Sequence, residues 1–381
     1  MGERTCDTVV IGGGIAGLST AAALAADQQV MVLEAEPQLG QHATGRSAAI
    51  YLPSYGTPIV RPLTRASHRS YVELSEEVGS PLLSPRSLLV VGVDEPSQAL
   101  VEAWVDDGVG LEPADARDAL ALCPALRPGI VRTAGVDAAG MDIDVAGLQE
   151  AFRRRLRHAG GHVLTSAPVE SIARRRGGWD VTANGRTVSA GVVVDAAGAW
   201  VDEIAALAGV PGIGLTPRRR CAFLSPIPAA SHDHPDRRGW PLVADGADRW
   251  YFKPDAGGVL ASPADQEPSP PCNAKPDELE IARAIEAINI ATTLGLRSVT
   301  SAWAGLRSFV VDGDPVVGAH PDAPDFVFVA AQGGYGIQIA PALAELAAAQ
   351  VLGHPLPPEL TEAGITPAGV SPLRPSLRRS R

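Results

Sequence analysis

The chain has 381 residues, of which 45% are hydrophobic, and a formal net charge of −11. This is enough for two structural domains or one large interleaved unit with a substantial core. The acidic balance disfavours nucleic acid and anionic membrane surfaces as partners, since both are held by clustered Lys and Arg. No run of about 18 uninterrupted apolar residues is present, so no membrane span is expected. Four cysteines, Cys6, Cys123, Cys221 and Cys272, fall in no CxxC pattern. They suggest neither a metal site nor a disulfide framework and fit a reduced, cytoplasmic setting. His232 and His234 in "ASHDHPD" have a ligand-like spacing but no third partner nearby, and no metal is expected.

In chain order, "DTVVI" reads as a buried parallel strand, and "LSTAAALAA" as a helix of good helix formers. Between them "GGGIAG" places Gly12, Gly14 and Gly17 in the spacing G-x-G-x-x-G. Such a turn lets backbone approach a pyrophosphate while the helix N-terminus offers free N–H groups and a positive dipole end. A second strand, "QVMVLE", ends at Glu34, where a carboxylate can accept from a ribose 2′-OH; an acid there argues against a 2′-phosphate. Arg4 ahead of this apolar stretch could suggest a signal peptide, but that reading would discard the dinucleotide motif. The motif alone fits NAD and FAD proteins alike.

A polar loop, "QHATGRSAAIYLPSYGTPIV", leads to the helix "LTRASHRSYVELSEEVG", which Gly79 closes. A strand, "SLLVVGV", and two helices, the second interrupted by Pro124, then break the nucleotide-binding pattern up to about Gly140. It resumes with a helix capped by Asp144 and ended by Gly160, followed by the strands "HVLT" and "PVESIARR" and a hairpin turning at Asn184-Gly185. "GVVVDAAGAWVDEIAALAG" is a second strand, turn and helix crossover, its Val run typical of a strand covered on both faces. Strand-like pieces return from "LTPRRRCAFLSPI" to "SVTSAWAGLRSFV", with "RWYFKPDAGGVLAS", a Pro-rich loop and a helix between them. "DFVFVAAQGGYGIQIAPALAELAAAQVLG" is a third crossover.

Three separated crossovers predict an α/β, two-domain chain. A Rossmann-like cofactor domain is assembled from residues 1–80, 141–216 and 309–371, and an antiparallel-sheet substrate domain from 81–140 and 217–308. The basic, Pro-bearing residues 372–381 are expected to be a disordered tail.

Taken together and in order, "VVIGGGIAGLS", "LEAEPQLGQHATGRSAA", "VVVDAAGAW", "WYFKPDAG", "WAGLRSFVVDGDPVVG" and "AAQGGYGIQ" resemble the D-amino-acid-oxidase superfamily of flavoproteins. Within it they are most similar to the D-arginine dehydrogenase branch of FAD-dependent D-amino acid dehydrogenases. The resemblance implies FAD, held non-covalently. Gly12, Gly14, Ile15, Ala16 and Gly17 would face its pyrophosphate, and Glu34 and Ala35 its adenosine ribose. Thr44, Gly45, Arg46, Ser47 and Ala48 would lie along the pyrophosphate and isoalloxazine. Val169 would meet the adenine, with Ala197, Gly198 and Trp200 near the ribityl chain. Gly333, Gly334, Tyr335, Gly336, Ile337 and Gln338 would set a helix N-terminus at the pyrimidine edge of the flavin.

The resemblance further implies oxidation of the Cα–N bond of an amino acid, of D configuration, to an imine that water hydrolyses. Arg307 is the candidate for the substrate carboxylate, because a planar guanidinium can bind it bidentately. Tyr55 and Tyr251 would add hydroxyls, and Arg220 would be a second pocket arginine; if it points inward, Arg219 should not. Ile50, Leu88, Gly334 and Tyr335 would complete the substrate pocket, and His42 reads as a polar loop residue. Where the relatives carry a glutamate and a histidine, this chain has Leu88 and Ile50. Neither can neutralise a cationic side chain, so a neutral or apolar substrate is expected. The alternative is a secondary amine such as an N-substituted glycine or a specialised metabolite. Electrons would pass to O₂ or a quinone-like acceptor.

Overall fold

The computed structural model describes residues 4–228 and 237–378. His232 and His234 lie outside the described residues. Two eight-stranded sheets and one three-stranded sheet organise the described residues.

The first sheet is built around the parallel strands Arg4–Ile11, Val30–Leu33, Arg186–Asp195 and Ala323–Ala330. Val9, Val10, Val32 and Val193 are fully buried, as expected of strands covered on both faces. The helices Ile15–Leu24 and Gly336–Leu352 pack against one side in a common apolar cluster. The hairpin and the second crossover prove to share a strand. Arg186–Asp195 pairs antiparallel with Gly178–Ala183 through its first half and parallel with Ala323–Ala330 through its last residues. Asn184 and Gly185 both have positive φ, the conformation that a type I′ turn requires. Gly79 closes its helix at φ 76°, and the Asp144 carboxylate accepts from the Gly147 N–H.

The second sheet runs Ser301–Phe309, Thr216–Pro226, Gly258–Ser262, Tyr251–Asp255, Leu242–Asp245, Leu88–Gly92, Thr133–Asp137, Glu112–Ala114. It is antiparallel except where Leu242–Asp245 runs parallel to Leu88–Gly92. Strand alternation sorts its side chains. Leu89, Val91, Cys221, Phe223, Val243, Phe252 and Leu306 pack beneath the helix Glu278–Ala291, while Leu88, Val90, Leu242, Tyr251 and Leu260 face the other way. The small sheet pairs Ile50–Tyr51 and Leu83–Pro85 with Met141–Ile143, joining segments on either side of the expected boundaries near 80 and 141.

Residues 372–378 depart from the expected disorder. Arg374 is buried, its guanidinium grips the Asp312 carboxylate at 2.6 and 2.7 Å, and the chain continues into a short helix, Pro375–Arg378. The tail composition looked solvated because its arginines have no partner nearby in sequence; Asp312 is some sixty residues away.

Candidate functional site

Between the two large sheets lies a cavity of about 620 Å³. Its floor is the end of the parallel sheet. Gly12 sits at φ 109°, where a Cβ would meet the Ala196 carbonyl oxygen at 2.4 Å, so only glycine fits the first turn. A Cβ on Gly17 would lie 1.9 Å from the Gly12 carbonyl oxygen, so this glycine lets the helix press against the turn. Ile11, Gly12, Gly14, Ile15, Ala16, Glu34 and Ala35 line this end. The Glu34 carboxylate accepts from the Gly13 N–H at 2.6 Å and the Glu36 N–H at 2.7 Å, which fixes an acid at the tip of the second strand.

Thr44, Ser47, Ala48, Val169, Ala197, Gly198 and Trp200 continue the lining, and Gly333, Gly334, Gly336 and Ile337 close it. Helices Ile15–Leu24 and Gly336–Leu352 both begin at this cavity with no side chain from their own N-cap. The Ile15 N–H donates to the Thr44 hydroxyl at 3.0 Å, and the dipoles of both helices point toward an anionic or electron-rich ligand. Two helix N-termini, a glycine cradle and a strand-tip acid together fit an extended dinucleotide.

Of the expected cofactor contacts, Gly17, Gly45, Tyr335 and Gln338 are not part of the lining, nor is Tyr55 of the expected substrate residues, and Arg46 lines the cavity but turns its polar end elsewhere. Arg46 directs its guanidinium away from a ligand, donating to the carbonyls of Gln41, Ala274 and Ala304 and to the Asn273 side chain. Through Ala304 it straps the cofactor loop to the second sheet. Gln338 is buried, accepting from the Leu52 N–H and donating to Thr64, so it anchors the loop that carries Tyr55. Gly45 packs its backbone on the Gly40 carbonyl instead of lining the cavity. His42, read as a polar loop residue, lines the cavity, bonds the Glu36 carboxylate at 2.9 Å and lies 4.8 Å from Trp200, ring to ring, in a tilted contact.

The other end is made of side chains. In the register of the second sheet Arg218 faces Arg307 and Arg220 faces Gly305, which places these four positions on one side. Arg219 takes the opposite side and pairs with Asp265 and Asp277. The Gly333 N–H donates to the Ser308 carbonyl at 2.9 Å, fastening the tip of the Arg307 strand to the third glycine turn. A Cβ on Gly334 would lie 2.8 Å from the Arg307 guanidinium carbon, so that glycine makes room for the cation.

The Arg307 guanidinium makes no hydrogen bond among the described residues. Burial works against its charge, but Tyr251, Tyr55, Asp248 and Tyr335 more than offset this and raise its pKa. Tyr55 lies 5.2 Å from Tyr335, ring to ring, and 5.9 Å from Trp104. Burial, and then the neighbouring Tyr55, push the Tyr335 phenol well above its ordinary value, so it is a neutral donor. Ile50 and Leu88 stand behind Tyr251 in an apolar wall with Leu52 and Leu260 instead of in the cavity lining. Arg220 is buried, lines the cavity and touches Asp248 at 3.4 Å.

Asp248 and Gln266 were invisible in the sequence reading; Gln266 donates to the Asp248 carboxylate at 3.1 Å. Backbone strain marks the same region. Of six non-glycine residues at positive φ among the described residues, four (Ala49, Asp248, Ala264 and Ala331) adjoin the cavity or its wall, which is where strain is retained when surroundings impose it.

The model of the FAD dependent oxidoreductase family matches residues 7–350. A glycine oxidase of Bacillus licheniformis is 29% identical, covering 95% of this chain and 97% of that protein. Human mitochondrial dimethylglycine dehydrogenase is 25% identical across 87% of this chain, which spans 40% of that longer protein. Among solved structures, the glycine oxidase of Geobacillus kaustophilus superposes with a TM-score of 0.80 at 20% identity, covering 95% of this chain and 99% of that one.

Proposed function

The chain belongs to the FAD dependent oxidoreductase family, and from that premise we propose that it oxidises the Cα–N bond of an amino acid bearing a free carboxylate. The observation that carries this is the Arg307 guanidinium, unbonded and ringed by Tyr55, Tyr251 and Tyr335 at the end of the cofactor cavity. A carboxylate is the ligand that completes such a fork, and it would also hold the adjacent Cα at a fixed distance from the glycine turn beside it. Gly12, Gly14, Glu34, Gly198 and Gly333 would hold FAD non-covalently, and it would supply the two-electron acceptor for a hydride leaving Cα. The imine so formed takes up water and releases the carbonyl product and the amine.

The chain's own residues have three tasks. Arg307 holds the carboxylate, the three tyrosines donate hydrogen bonds and exclude water, and the apolar wall of Ile50, Leu52, Leu88 and Leu260 borders the chamber. No carboxylate replaces the acid that relatives of the dehydrogenase branch would carry at Leu88, so a cationic side chain has no partner there. A neutral D-amino acid is the first substrate class. An N-substituted glycine is the second, and the near-full-length likeness to a glycine oxidase favours small members of both classes. Electron transfer to O₂ or a quinone-like acceptor completes the cycle. The four free thiols fit a cytoplasmic setting, and no helix among the described residues is long and apolar enough to cross a membrane.

The test is an anaerobic screen of the holoenzyme, following bleaching of the flavin with D- and L-amino acids and N-alkyl glycines. Reduction by a carboxylate-bearing amine, and none by the corresponding amine without the carboxylate, is the expected result. Equal reduction by both would remove Arg307 from the reading.

A further inference from the structure

The charges in the substrate chamber do not balance. Arg220 and Arg307 both open onto the cavity from the same side of adjacent strands. Arg220 is only 7% exposed, and its Nε is buried with no hydrogen-bond partner. Its one carboxylate neighbour, Asp248, makes a long contact at 3.4 Å, has a side chain 47% exposed, and is shared with Gln266. Arg220, Arg307 and Tyr251 line the same cavity, and Asp248, in contact with Arg220, is also among the charges acting on Arg307 and Tyr335. The other acids nearby are engaged. Asp245 is held by Arg249, Asp142 by Lys253 and Arg86, Asp265 by Arg219 and the Cys221 N–H, and Asp137 by the backbone N–H groups of Ser54 and Ala139. Two guanidinium groups thus share one weakly placed carboxylate.

We propose that Arg220 is a second carboxylate-binding residue and that the preferred substrate is an amine carrying two carboxylates, which narrows the N-substituted glycine class and puts an anionic D-amino acid in place of a neutral one. This rests on the reading that Arg307 takes the carboxylate next to the reacting carbon. A buried guanidinium with an orphaned Nε is costly unless a ligand completes it, and a planar carboxylate does so through two parallel hydrogen bonds. Arg220 and Arg307 are diagonal neighbours across the pair of strands, a separation of roughly 7–8 Å between backbones, which two long side chains can adjust to the ends of a short dicarboxylate. Asp248 is the stand-in anion. It is half-exposed and sits on a strained turn, so it can yield its contact when substrate enters. The chamber then selects against cations through charge.

The second carboxylate can sit on the nitrogen substituent, as in iminodiacetate, or on the side chain, as in D-aspartate and D-glutamate. Two measurements on the FAD-loaded protein test the proposal and separate these forms. First, thiodiacetate and (ethylthio)acetate, which lack an oxidisable amine, are titrated against the visible flavin spectrum. Thiodiacetate is expected to bind at least tenfold more tightly; equal binding would overturn the proposal. Second, anaerobic flavin reduction is compared for iminodiacetate against N-ethylglycine and for D-glutamate against D-norvaline, the faster dicarboxylate naming the form.

Arg220→Gln should weaken thiodiacetate by tens of fold more than (ethylthio)acetate, and Arg220→Lys should restore part of the difference. Asp248→Asn, which removes the competing anion, should tighten thiodiacetate severalfold, so the proposal stays exposed even if Arg220→Gln does not fold. Weakening of both ligands alike in Arg220→Gln, or no tightening in Asp248→Asn, would overturn it. If monocarboxylic amines reduce the flavin as well as dicarboxylates do, this inference fails while the assignment of Arg307 stands. If no carboxylate-bearing amine reduces it, the broader reading fails first.

Discussion

The two ends of the cavity are built in different ways. The cofactor end is made of backbone: glycines that bring carbonyls and N–H groups within reach, two helix N-termini, and one strand-tip acid. The substrate end is made of side chains from six separate places, Tyr55, Arg220, Asp248, Tyr251, Arg307 and Tyr335, brought together by the register of one sheet and two loops. A backbone cradle tolerates no added atoms. A side-chain chamber tolerates reshaping and is governed by charge.

Substitutions can separate the two. Gly17→Ala should have the largest effect and strike only the cofactor end. Its Cβ has a backbone carbonyl at 1.9 Å, so FAD affinity should fall by about a hundredfold or more, read as loss of yellow colour on purification. Arg307→Ala should leave FAD content intact and lower kcat/KM by about 10³-fold, equivalent to about 4 kcal/mol, mainly through KM. Normal KM in that variant would merge the two ends into one. Gly334→Ala sits on the seam, where the new Cβ displaces the guanidinium by a few tenths of an ångström; KM should rise about tenfold with FAD retained.

The smallest effect comes from the remote clamp. Burial alone would raise the Asp312 pKa, but hydrogen bonds from Arg374 and Ser376 and the Asp314 N–H outweigh it and hold the carboxyl at about 2. A lowered carboxyl pKa contributes stability that is present above the unfolded value, near 4, and lost as pH falls toward about 2. Arg374→Met should abolish that acid-side dependence and lower Tm by a few degrees, measured by thermal scans between pH 7 and pH 3.

How much of this was legible follows the same division. The glycine turns, Glu34, the Asn184-Gly185 hairpin and the caps at Asp144 and Gly79 are local in sequence, and each appears where its spacing predicted. Arg307 and Tyr251 were named through family resemblance, and strand alternation separated Arg220 from Arg219. What escaped is non-local. The strap from Arg46 reaches residues more than two hundred positions away, Gln338 turns toward Thr64, and Asp248 meets Arg220 only after the sheet has formed. Arg374 was taken for a solvated charge for the same reason.

Arg374 also donates to the carbonyls of Asp314 and Pro315, and the Asp314 carboxylate accepts from the Thr57 hydroxyl, two residues beyond Tyr55. One end of the chain is therefore wired by three polar contacts to the loop that caps the substrate chamber. By reciprocity, a ligand that orders the Tyr55 loop must also slow hydrogen exchange at residues 371–378. The far terminus then serves as a gauge of chamber occupancy, readable without turnover and without any label in the pocket.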